Sequence, residues 1–402
     1  MLRKIVLPLL TLSLIFCPIQ LTWSSLPVQA EEVSPSDVIE RLFTSPQVQK
    51  KWFSSSFIGQ ISISQIENIL NSIQQTLGEY QSVEKDGEDY RVIFTEGVVP
   101  TKISLDRSGR IVTLLFQSPI ANQITLEEAI AKYQELPGEV SFLVLEGDST
   151  LAALNPNQSL GVGSAFKLAV LATLQQQINS GERSWEDVVE LEPSWKSLPS
   201  GILQTWPDFA PFTLQTLATL MISQSDNTAT DALIETLGRE EIETFAPRNQ
   251  PFLTTGEAFT LKNPENEALL ERYRQGNITL RRELLTEVKE APLPSPVIFQ
   301  EDKPLATDIE WFFTSRELCT LIDEVADLPL MAVNPGAAKA EDWQRVAFKG
   351  GSEPGVLNFT TQLQSQDGKT YCVVATWNNS EAIDDFAFFT LYSSVIEYLK
   401  QR

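Results

Sequence analysis

Ser164 and Lys167 are the residues of this chain whose types and spacing indicate chemistry most directly. They lie three positions apart, after Gly161 and Gly163, at the start of a run rich in Ala and Leu. The glycines permit a tight backbone path and the run favours a buried helix, so the pattern predicts a helix that begins at Ser164. On such a helix the hydroxyl and the amine share one face, near unpaired backbone N–H groups.

A serine hydroxyl becomes a good nucleophile only when a base removes its proton. The chain contains no histidine, which excludes a Ser-His-Asp triad. The remaining base is a lysine whose pKa is lowered by burial or by a second cation, and Lys167 is the nearest one. Taken alone, the pair also fits a plain alternative, in which Ser164 caps the helix and Lys167 is solvated.

Two further stretches change this balance, namely Ser225-Asp226-Asn227 and Lys349-Gly350-Gly351-Ser352. In this order, with Ser-x-x-Lys before them, they resemble the signature set of the serine β-lactamase and penicillin-binding-protein superfamily. The resemblance covers about Ile124 to Lys400, and the text from Leu220 to Asp231 looks like the second motif of class A β-lactamases. Separately, the two stretches also fit a turn and a hairpin edge.

The resemblance implies a role for each residue of the set. Ser164 would attack a carbonyl and become acylated, with Lys167 as the adjacent base. Ser225 would relay a proton to the leaving group, helped by Lys349 across the cleft. Two close lysines each raise the cost of charging the other, which favours a neutral amine.

The resemblance also implies the groups that bind the substrate. The backbone N–H groups of Ser164 and Ser352 would form the oxyanion hole. Asn227 would hold a substrate amide, whereas Asp226 would be a buried structural carboxylate. The remaining substrate contacts would come from the third motif, at Gly350, Gly351 and Ser352.

Three departures from the family pattern bear on the substrate. Gly350 stands where the family usually has a hydroxyl for the substrate carboxylate, although Ser352 is placed to supply one. No basic residue occurs around Leu357 to Phe359, and the Glu-x-x-Leu-Asn loop that activates the deacylating water in class A enzymes is absent. Glu257 is a candidate for that base, but a solvated glutamate at a helix start is the alternative that we favour.

The sequence therefore predicts a serine acyl hydrolase that acts through an acyl-enzyme, on β-lactam amides slowly or on small esters. A D-alanyl-D-alanine peptidase is a variant of the same chemistry. A non-catalytic protein that binds cell-wall peptides in the same cleft is an alternative from another class. We expect no cofactor, and no metal site because histidine is absent and cysteines are few.

Residues 1–30 have the pattern of a secretory signal. Arg3 and Lys4 precede an apolar run, and Val28-Gln29-Ala30 is a small-residue cleavage site. The run is short and broken by prolines, although an uncleaved anchor is the alternative. We therefore expect an exported protein, periplasmic or secreted, with no integral membrane span after cleavage.

The chain is strongly acidic, with a formal net charge of −23. Signal cleavage would remove two positive charges and make it more acidic still. A polyanion repels nucleic acid, so we expect small-molecule partners, no nucleic acid and a monomer. Cys319 and Cys372 remain after cleavage, and they fit either a disulfide or two buried thiols.

The order of elements predicts two domains after the signal. Helices and then an antiparallel meander form a small α+β unit over residues 31–119, which resembles the cystatin-like or NTF2-like (isomerase-like) domain in front of some β-lactamase-like hydrolases. Residues 120–402 follow as a β-lactamase/transpeptidase-like α/β sandwich, an antiparallel sheet with helices plus an all-helical subdomain. The expected elements include a helix over Ser36 to Phe57, a capping box at Ser64 and Glu67, and helices over Pro211 to Ile222 and Trp311 to Ala326.

Overall fold

The structure is a computed structural model, and it describes residues 34–117, 119–121, 124–299 and 303–402. The signal predicted over residues 1–30 lies outside these ranges. Across the described ranges, none of the helices has the length and apolarity that crossing a lipid bilayer requires.

Helices pack against an antiparallel meander at the start of the described chain. The elements are α1 (Pro35–Thr44), α2 (Ser55–Ile58), α3 (Ile63–Leu77), β1 (Tyr80–Asp86), β2 (Asp89–Phe94), β3 (Gly97–Leu105), β4 (Ile111–Phe116) and β5 (Ile120–Ala121). The strands pair in the order β1-β2-β3-β4, with β5 added to β3. Phe43 of α1 meets Phe94 of β2 edge-on at 5.2 Å in a core of their own. The predicted α+β unit is therefore present.

Two local predictions in this unit are wrong. The helix expected over Ser36 to Phe57 ends at Thr44, because Pro46 follows and the residue before a proline is disfavoured in the helical region. The capping box of α3 uses Ser62 and Gln65 instead of Ser64 and Glu67. The Ser62 hydroxyl accepts from the Gln65 N–H at 3.3 Å, and the Gln65 side chain accepts from the Ser62 N–H at 2.9 Å.

The larger second part begins with a helix and a hairpin, continues through a mostly helical region and ends with three strands and a helix. Its elements are α4 (Leu126–Gln134), β6 (Glu139–Glu146), β7 (Ser149–Leu154), β8 (Leu160–Gly161), α5 (Lys167–Asn179), β9 (Val188–Glu190), β10 (Pro211–Thr213), α6 (Leu214–Ser223), α7 (Asn227–Leu237), α8 (Arg239–Phe245), α9 (Thr255–Lys262), α10 (Glu267–Gln275), α11 (Ile278–Glu290), β11 (Phe312–Phe313), α12 (Ser315–Val325), β12 (Arg345–Glu353), β13 (Val356–Gln364), β14 (Thr370–Asn378) and α13 (Asp385–Lys400).

The central sheet of the second part is antiparallel, in the order β12-β13-β14-β6-β7. One face packs against α4 and α13, where Tyr133 and Phe388 lie in the same core. The other face packs against α5, α12 and the helical region, in a second core. The predicted mixed α/β architecture, with both ends of the domain on one sheet face, is confirmed. The strand β12 is an edge of this sheet and leads into the site described below.

Two helices of this part begin later than the sequence predicts. Residues Pro211–Thr213 form a short strand with β9 before α6 begins at Leu214. Phe312–Phe313 pair with β8 before α12 begins at Ser315. In both cases a threonine caps the helix, Thr213 for α6 and Thr314 for α12, so the apolar residues before the cap belong to a strand.

The two parts contact each other through α13. The Ser72 hydroxyl of α3 donates to Asp384 at 3.0 Å, and Phe386 packs on the core of the first unit. The strand β5, at Ile120–Ala121, pairs with β3, so the first sheet extends two residues beyond the boundary predicted after residue 119.

Cys319 and Cys372 form a disulfide between α12 and β14. Their Cα atoms are 5.8 Å apart, and 53 residues separate the two positions in sequence. Of the two alternatives that the sequence leaves open, the structure has the cross-link. It fastens α12 to the sheet face that carries the helical region.

We expect the double variant Cys319→Ala with Cys372→Ala to lose about 2–4 kcal/mol of unfolding free energy, because a cross-link restricts the unfolded chain. Urea denaturation of both proteins, with and without reductant, measures the loss. Reductant should lower the midpoint of the wild type and leave that of the double variant unchanged. Equal midpoints for both proteins without reductant would contradict the expectation.

Candidate active site

Ser164 lies in a 3₁₀ turn over Gly163–Phe166, and the α-helix α5 begins only at Lys167. A 3₁₀ turn has three residues per turn, so positions i and i+3 are eclipsed and Ser164 stands in line with Lys167. Gly163 has a φ of 49°, which a residue with a side chain rarely adopts. Phe166 anchors the turn, because its ring stacks on Trp311 with 3.8 Å between centroids.

The edge strand β12 passes directly against this turn. A Cβ atom on Gly351 would lie 2.1 Å from the Val162 carbonyl oxygen and 2.5 Å from the Ser164 nitrogen. A Cβ atom on Gly163 would lie 3.1 Å from the Ser352 nitrogen. The strand β12 and the turn therefore make a close backbone contact that includes the nitrogens of Ser164 and Ser352. Only glycine at position 351 permits this contact.

Two lysines converge on the hydroxyl of Ser225. Lys167 Nζ lies 3.1 Å and Lys349 Nζ lies 3.0 Å from Ser225 Oγ. Lys167 also donates to the Ser225 carbonyl oxygen and to Asn227 Oδ1, both at 2.7 Å. Lys349 donates to the Gly350 carbonyl oxygen at 2.5 Å. Residues from three distant parts of the sequence therefore share one hydrogen-bonded group.

The backbone of Ser225 is itself unusual, with a φ of 54°. A non-glycine residue in the left-handed region costs energy and persists only where the surroundings hold it. Asp226 provides part of that hold, because its buried carboxylate caps α7 and accepts from the Ile202 N–H at 2.6 Å and the Leu203 N–H at 2.9 Å. Ser200 adds a hydrogen bond of 2.7 Å to the Ser225 carbonyl oxygen.

Burial changes the basicity of both lysines. Burial, and next the charge of Lys349, hold the pKa of Lys167 well below its ordinary value, although Asp231 and Asp226 oppose this effect. Burial also lowers the pKa of Lys349 to about 7. Lys349 is thus partly neutral near pH 7, and the lowered pKa of Lys167 favours its neutral amine, which is the form that accepts a proton.

The structure places the other candidate residues as follows. Asn227 is buried, and its amide is engaged within the protein, because Nδ2 donates to the Leu198 carbonyl oxygen at 3.0 Å. Gly350 and Ser352 are two residues apart on β12, so they point to the same side of the strand, away from Gly351. Ser352 is exposed there and lines a cavity.

The cavity beside Ser352 has a volume of about 490 Å³. Glu353 and Asp385 are the charged residues on its wall, and Phe259 and Phe299 contribute aromatic surface. Within the described ranges, the lining of this cavity contains no lysine or arginine. No group of three or more His, Cys, Asp or Glu side chains there could hold a metal ion either, so far as the described residues go.

The sequence favours a solvated glutamate at position 257, and this expectation is wrong, because Glu257 is buried. It is only 3% exposed and completes the capping box of α9 with Thr254. Both of its carboxylate oxygens bind Arg239, at 2.8 and 2.9 Å. The carboxylate is therefore held in a buried ion pair, and its position at a helix start explains only part of its environment.

Sequence reasoning missed two buried acidic groups near this region. Asp231 accepts the N–H groups of Thr255 and Gly256 at 2.7 and 2.8 Å, and burial raises its pKa to about 7. Glu310 and Glu353 share Lys262, although these three residues lie far apart in sequence. Of these acidic residues, only Glu353 has a sequence signal. It is two residues after Gly351, so the two positions lie on the same face of a strand.

Residues 121–257 match the family model described as the beta-lactamase enzyme family. The match supports the serine β-lactamase and penicillin-binding-protein superfamily for this part of the chain. The matched segment contains Ser164, Lys167 and Ser225, whereas Lys349 lies beyond it. No curated protein matches the chain in a sequence search.

Among solved structures, the chain is similar to a beta-lactamase from Sphaerobacter thermophilus, with 19% identity over 68% of this chain and 95% of that one and a TM-score of 0.48. It is similar to PBP-A, with 15% identity over 70% of this chain and 98% of that one and a TM-score of 0.47. It is also similar to a class A beta-lactamase representative from Bacteroides cellulosilyticus, with 20% identity over 69% of this chain and 96% of that one and a TM-score of 0.46.

We expect Lys349→Met to change how stability depends on pH. In the folded wild type the pKa of Lys349 is about 7, against an ordinary 10.5 in the unfolded chain, so unfolding takes up a proton between these values. The stability of the wild type relative to the variant should therefore rise with pH across this window, by up to about 1.4 kcal/mol per pH unit. Urea denaturation at several pH values measures the difference.

Lys289→Met is the matched control, because Lys289 is half exposed and paired with Glu235 on the surface. Its stability difference from the wild type should show no comparable rise between pH 7 and 10. A flat difference for Lys349→Met as well would mean that Lys349 is an ordinary charged lysine.

Proposed function

We propose that this chain is a serine acyl hydrolase related to the β-lactamases, which acts through an acyl-enzyme on Ser164. The observation that carries the proposal is the convergence of Lys167 and Lys349 on Ser225 Oγ beside the turn that holds Ser164. The family match over residues 121–257 supports the same chemistry. We expect β-lactam amides, hydrolysed slowly, or small esters as substrates.

Acylation would need two proton transfers, one away from Ser164 and one to the leaving group. Ser164 Oγ forms a bond to the substrate carbonyl carbon and gives its proton to the neutral amine of Lys167. The carbonyl oxygen becomes negative and accepts from the backbone N–H groups of Ser164 and Ser352. When the intermediate collapses, the leaving nitrogen or oxygen takes a proton from the Ser225 hydroxyl. Lys167 then gives its added proton to Ser225. Lys349 holds the Ser225 hydroxyl in place meanwhile.

The charge of the cavity supports esters and other uncharged substrates over those that carry a carboxylate. Glu353 and Asp385 are acidic, and no cation lies on the wall among the described residues. A substrate carboxylate in this cavity would lose water and find no cation to pair with. Lys349, whose pKa is about 7, is half neutral at that pH and so a weak partner for an anion.

A penicillin-binding protein of the D-alanyl-D-alanine peptidase kind is the second candidate. It is favoured by the environment of Glu257, because Arg239 binds both of its carboxylate oxygens and leaves neither to activate a deacylating water. A long-lived acyl-enzyme is the expected result of a missing base. A passive cleft that binds cell-wall peptides is a further alternative, and covalent labelling of Ser164 would exclude it.

We also propose that the protein is exported and has two domains. The charge pattern of residues 1–30 supports a cleaved signal, and the disulfide between Cys319 and Cys372 fits an oxidising compartment. Separate hydrophobic cores support an accessory domain over residues 31–119 and a hydrolase domain over residues 120–402. The kinship of the accessory domain with cystatin-like or NTF2-like units remains a prediction.

Ser164→Ala should abolish both turnover and covalent labelling by a fluorescent penicillin, because the variant has no nucleophilic oxygen at this position. A panel of β-lactams and p-nitrophenyl esters, followed by absorbance and by intact mass, measures both effects. Fast turnover of β-lactams would indicate a β-lactamase, a long-lived adduct a peptidase, and ester turnover alone an esterase. Retained labelling of the variant would refute the assignment of Ser164.

Gly351→Ala should lower the rate of Ser164 acylation by about 100-fold or more. The new Cβ atom would overlap the backbone of Val162 and Ser164, so either β12 or the turn must shift, and a shift of about 1 Å can cost that much. Gly59→Ala is the matched control, because Gly59 is in the helical region at φ −69° and has only ordinary contacts. Rates of adduct formation by mass spectrometry, with circular dichroism as a check of folding, test the expectation. Acylation of the Gly351 variant at the wild-type rate would contradict it.

A further inference from the structure

A second group of buried ionisable side chains lies near the nucleophile, and the proposed acylation step does not use it. Lys262 Nζ is 2.5 Å from Glu310 Oε1 and 2.6 Å from Glu353 Oε2. The side chains of Lys262 and Glu310 are at most 1% exposed, whereas that of Glu353 is 16% exposed. They come from the end of α9, the segment before β11 and the end of β12.

The alternation of β12 places this cluster relative to Ser164. Lys349, Gly351 and Glu353 are two residues apart, so they lie on one face of the strand at intervals of about 6.6 Å. Lys349 reaches Ser225, and Gly351 contacts the backbone of the nucleophile turn. Glu353 therefore lies on the side of the turn opposite to the two lysines.

The cluster also contacts the strand that leads into the turn. A Cβ atom on Gly161 would lie 3.2 Å from Glu310 Cγ, and Gly161 is three residues before Ser164. Of the three members, only Glu353 belongs to the wall of the cavity beside Ser352. A water molecule in that cavity could contact Glu353 while it is next to the proposed oxyanion hole.

We propose that Glu353 is the catalytic base that activates the water for deacylation, with Lys262 and Glu310 as positioning residues that hold its carboxylate. This inference rests on the proposed acyl-enzyme at Ser164. Glu353 removes a proton from water, and the water oxygen forms a bond to the acyl carbonyl carbon. The intermediate then breaks its bond to Ser164 Oγ, and the proton that Glu353 accepted passes to that oxygen. The acid product leaves, Glu353 is a carboxylate again, and Lys167 stays the neutral amine that acylation left.

The charge states of the cluster fit this role. Burial opposes ionisation of Glu353, but the charge of Lys262 and the hydrogen bonds from Glu310 and Lys262 together hold the pKa of Glu353 below its ordinary value. Burial, and next the charge of Glu353, raise the pKa of Glu310 well above its ordinary value. Of the two carboxyl groups, Glu353 is therefore the one that favours the carboxylate form, which is the form that accepts a proton.

The two other acidic candidates are less well placed. Glu257 has both oxygens on Arg239 and lies in the wall of a different cavity, with Asp231 and Lys289. Asp385 shares the cavity with Glu353, but it belongs to the first turn of α13 and not to the strand that contacts the nucleophile turn. Glu353 alone among these is adjacent in sequence to Ser352.

The test separates acylation from deacylation, using p-nitrophenyl acetate and the full chain. In a stopped-flow experiment, the burst of p-nitrophenol reports acylation and the steady state reports deacylation. For Glu353→Gln we expect a burst within about threefold of the wild-type rate and a steady state slower by about 100-fold or more. Intact mass should then show nearly one acetyl group per molecule, on Ser164.

The oxyanion hole serves both steps, so a purely structural role of Glu353 would slow both steps together. That result, or an unchanged steady state, would overturn the proposal. The fold should tolerate Glu353→Gln, because Glu310 remains as a partner of Lys262. Should that variant fail to fold, Glu353→Asp keeps the charge but moves it, and it should slow deacylation selectively.

Two further proteins make the outcome specific. Glu287→Gln removes an exposed glutamate that is paired with Arg272, and both of its rates should equal those of the wild type. Asp385→Asn tests the other acid of the cavity, and a stalled adduct in this variant but not in Glu353→Gln would assign the base to Asp385 instead. A wild type that neither hydrolyses the ester nor forms an adduct would refute the proposed function itself.

Discussion

The arrangement depends on two buried amines that share one hydroxyl. Lys167 and Lys349 both donate to Ser225 Oγ, and both are almost completely shielded from water. Two ammonium groups in such a place would lose their hydration and repel each other, so the protein stabilises the neutral form of at least one. Because the chain contains no imidazole, a buried amine is the base on which the proposed activation of Ser164 depends.

The surrounding elements hold this contact through backbone features more than through side chains. The 3₁₀ turn aligns Ser164 with Lys167, and Gly351 lets an edge strand approach that turn. Ser225 is held in a left-handed conformation while the carboxylate of Asp226 caps the next helix and binds the loop at Ile202. A side chain at position 351 or a lost cap would move the amines relative to the hydroxyl, although the same residues would still be present.

Much of this could be predicted from the sequence wherever the signal is local. The spacing of Ser164 and Lys167 is a property of a few neighbouring residues, and the structure places both at the start of α5. The helix starts at Leu214 and Ser315 were predicted too early, because aromatic and apolar residues before a cap suit either a strand or a helix.

Long-range pairings could not be read from the sequence in this way. Glu257 looks like an exposed capping residue until Arg239, from another helix, covers it. Lys262 meets Glu310 and Glu353 across 48 and 91 residues, and no periodicity connects such positions. The disulfide stayed open for the same reason, since each cysteine alone fits an apolar site.

The two buried ionisable groups, one on each side of Ser164, are difficult to explain by stability. Removing a lysine or a carboxylate from water costs several kcal/mol, and well-packed apolar side chains of similar volume often stabilise a fold as well or better. The lysine pair has no carboxylate bonded to its amines, and the cluster around Lys262 leaves Glu310 Oε2 without a hydrogen-bond partner among the described residues. The strand β12 carries Lys349, which shares the Ser225 hydroxyl with Lys167, at one end of its contact face and Glu353 at the other. In the proposed mechanism a base, Lys167 or Glu353, therefore lies on either side of the nucleophile. A hydrolase that works in two steps needs that division, because the leaving group departs in the first step and a water molecule must enter in the second.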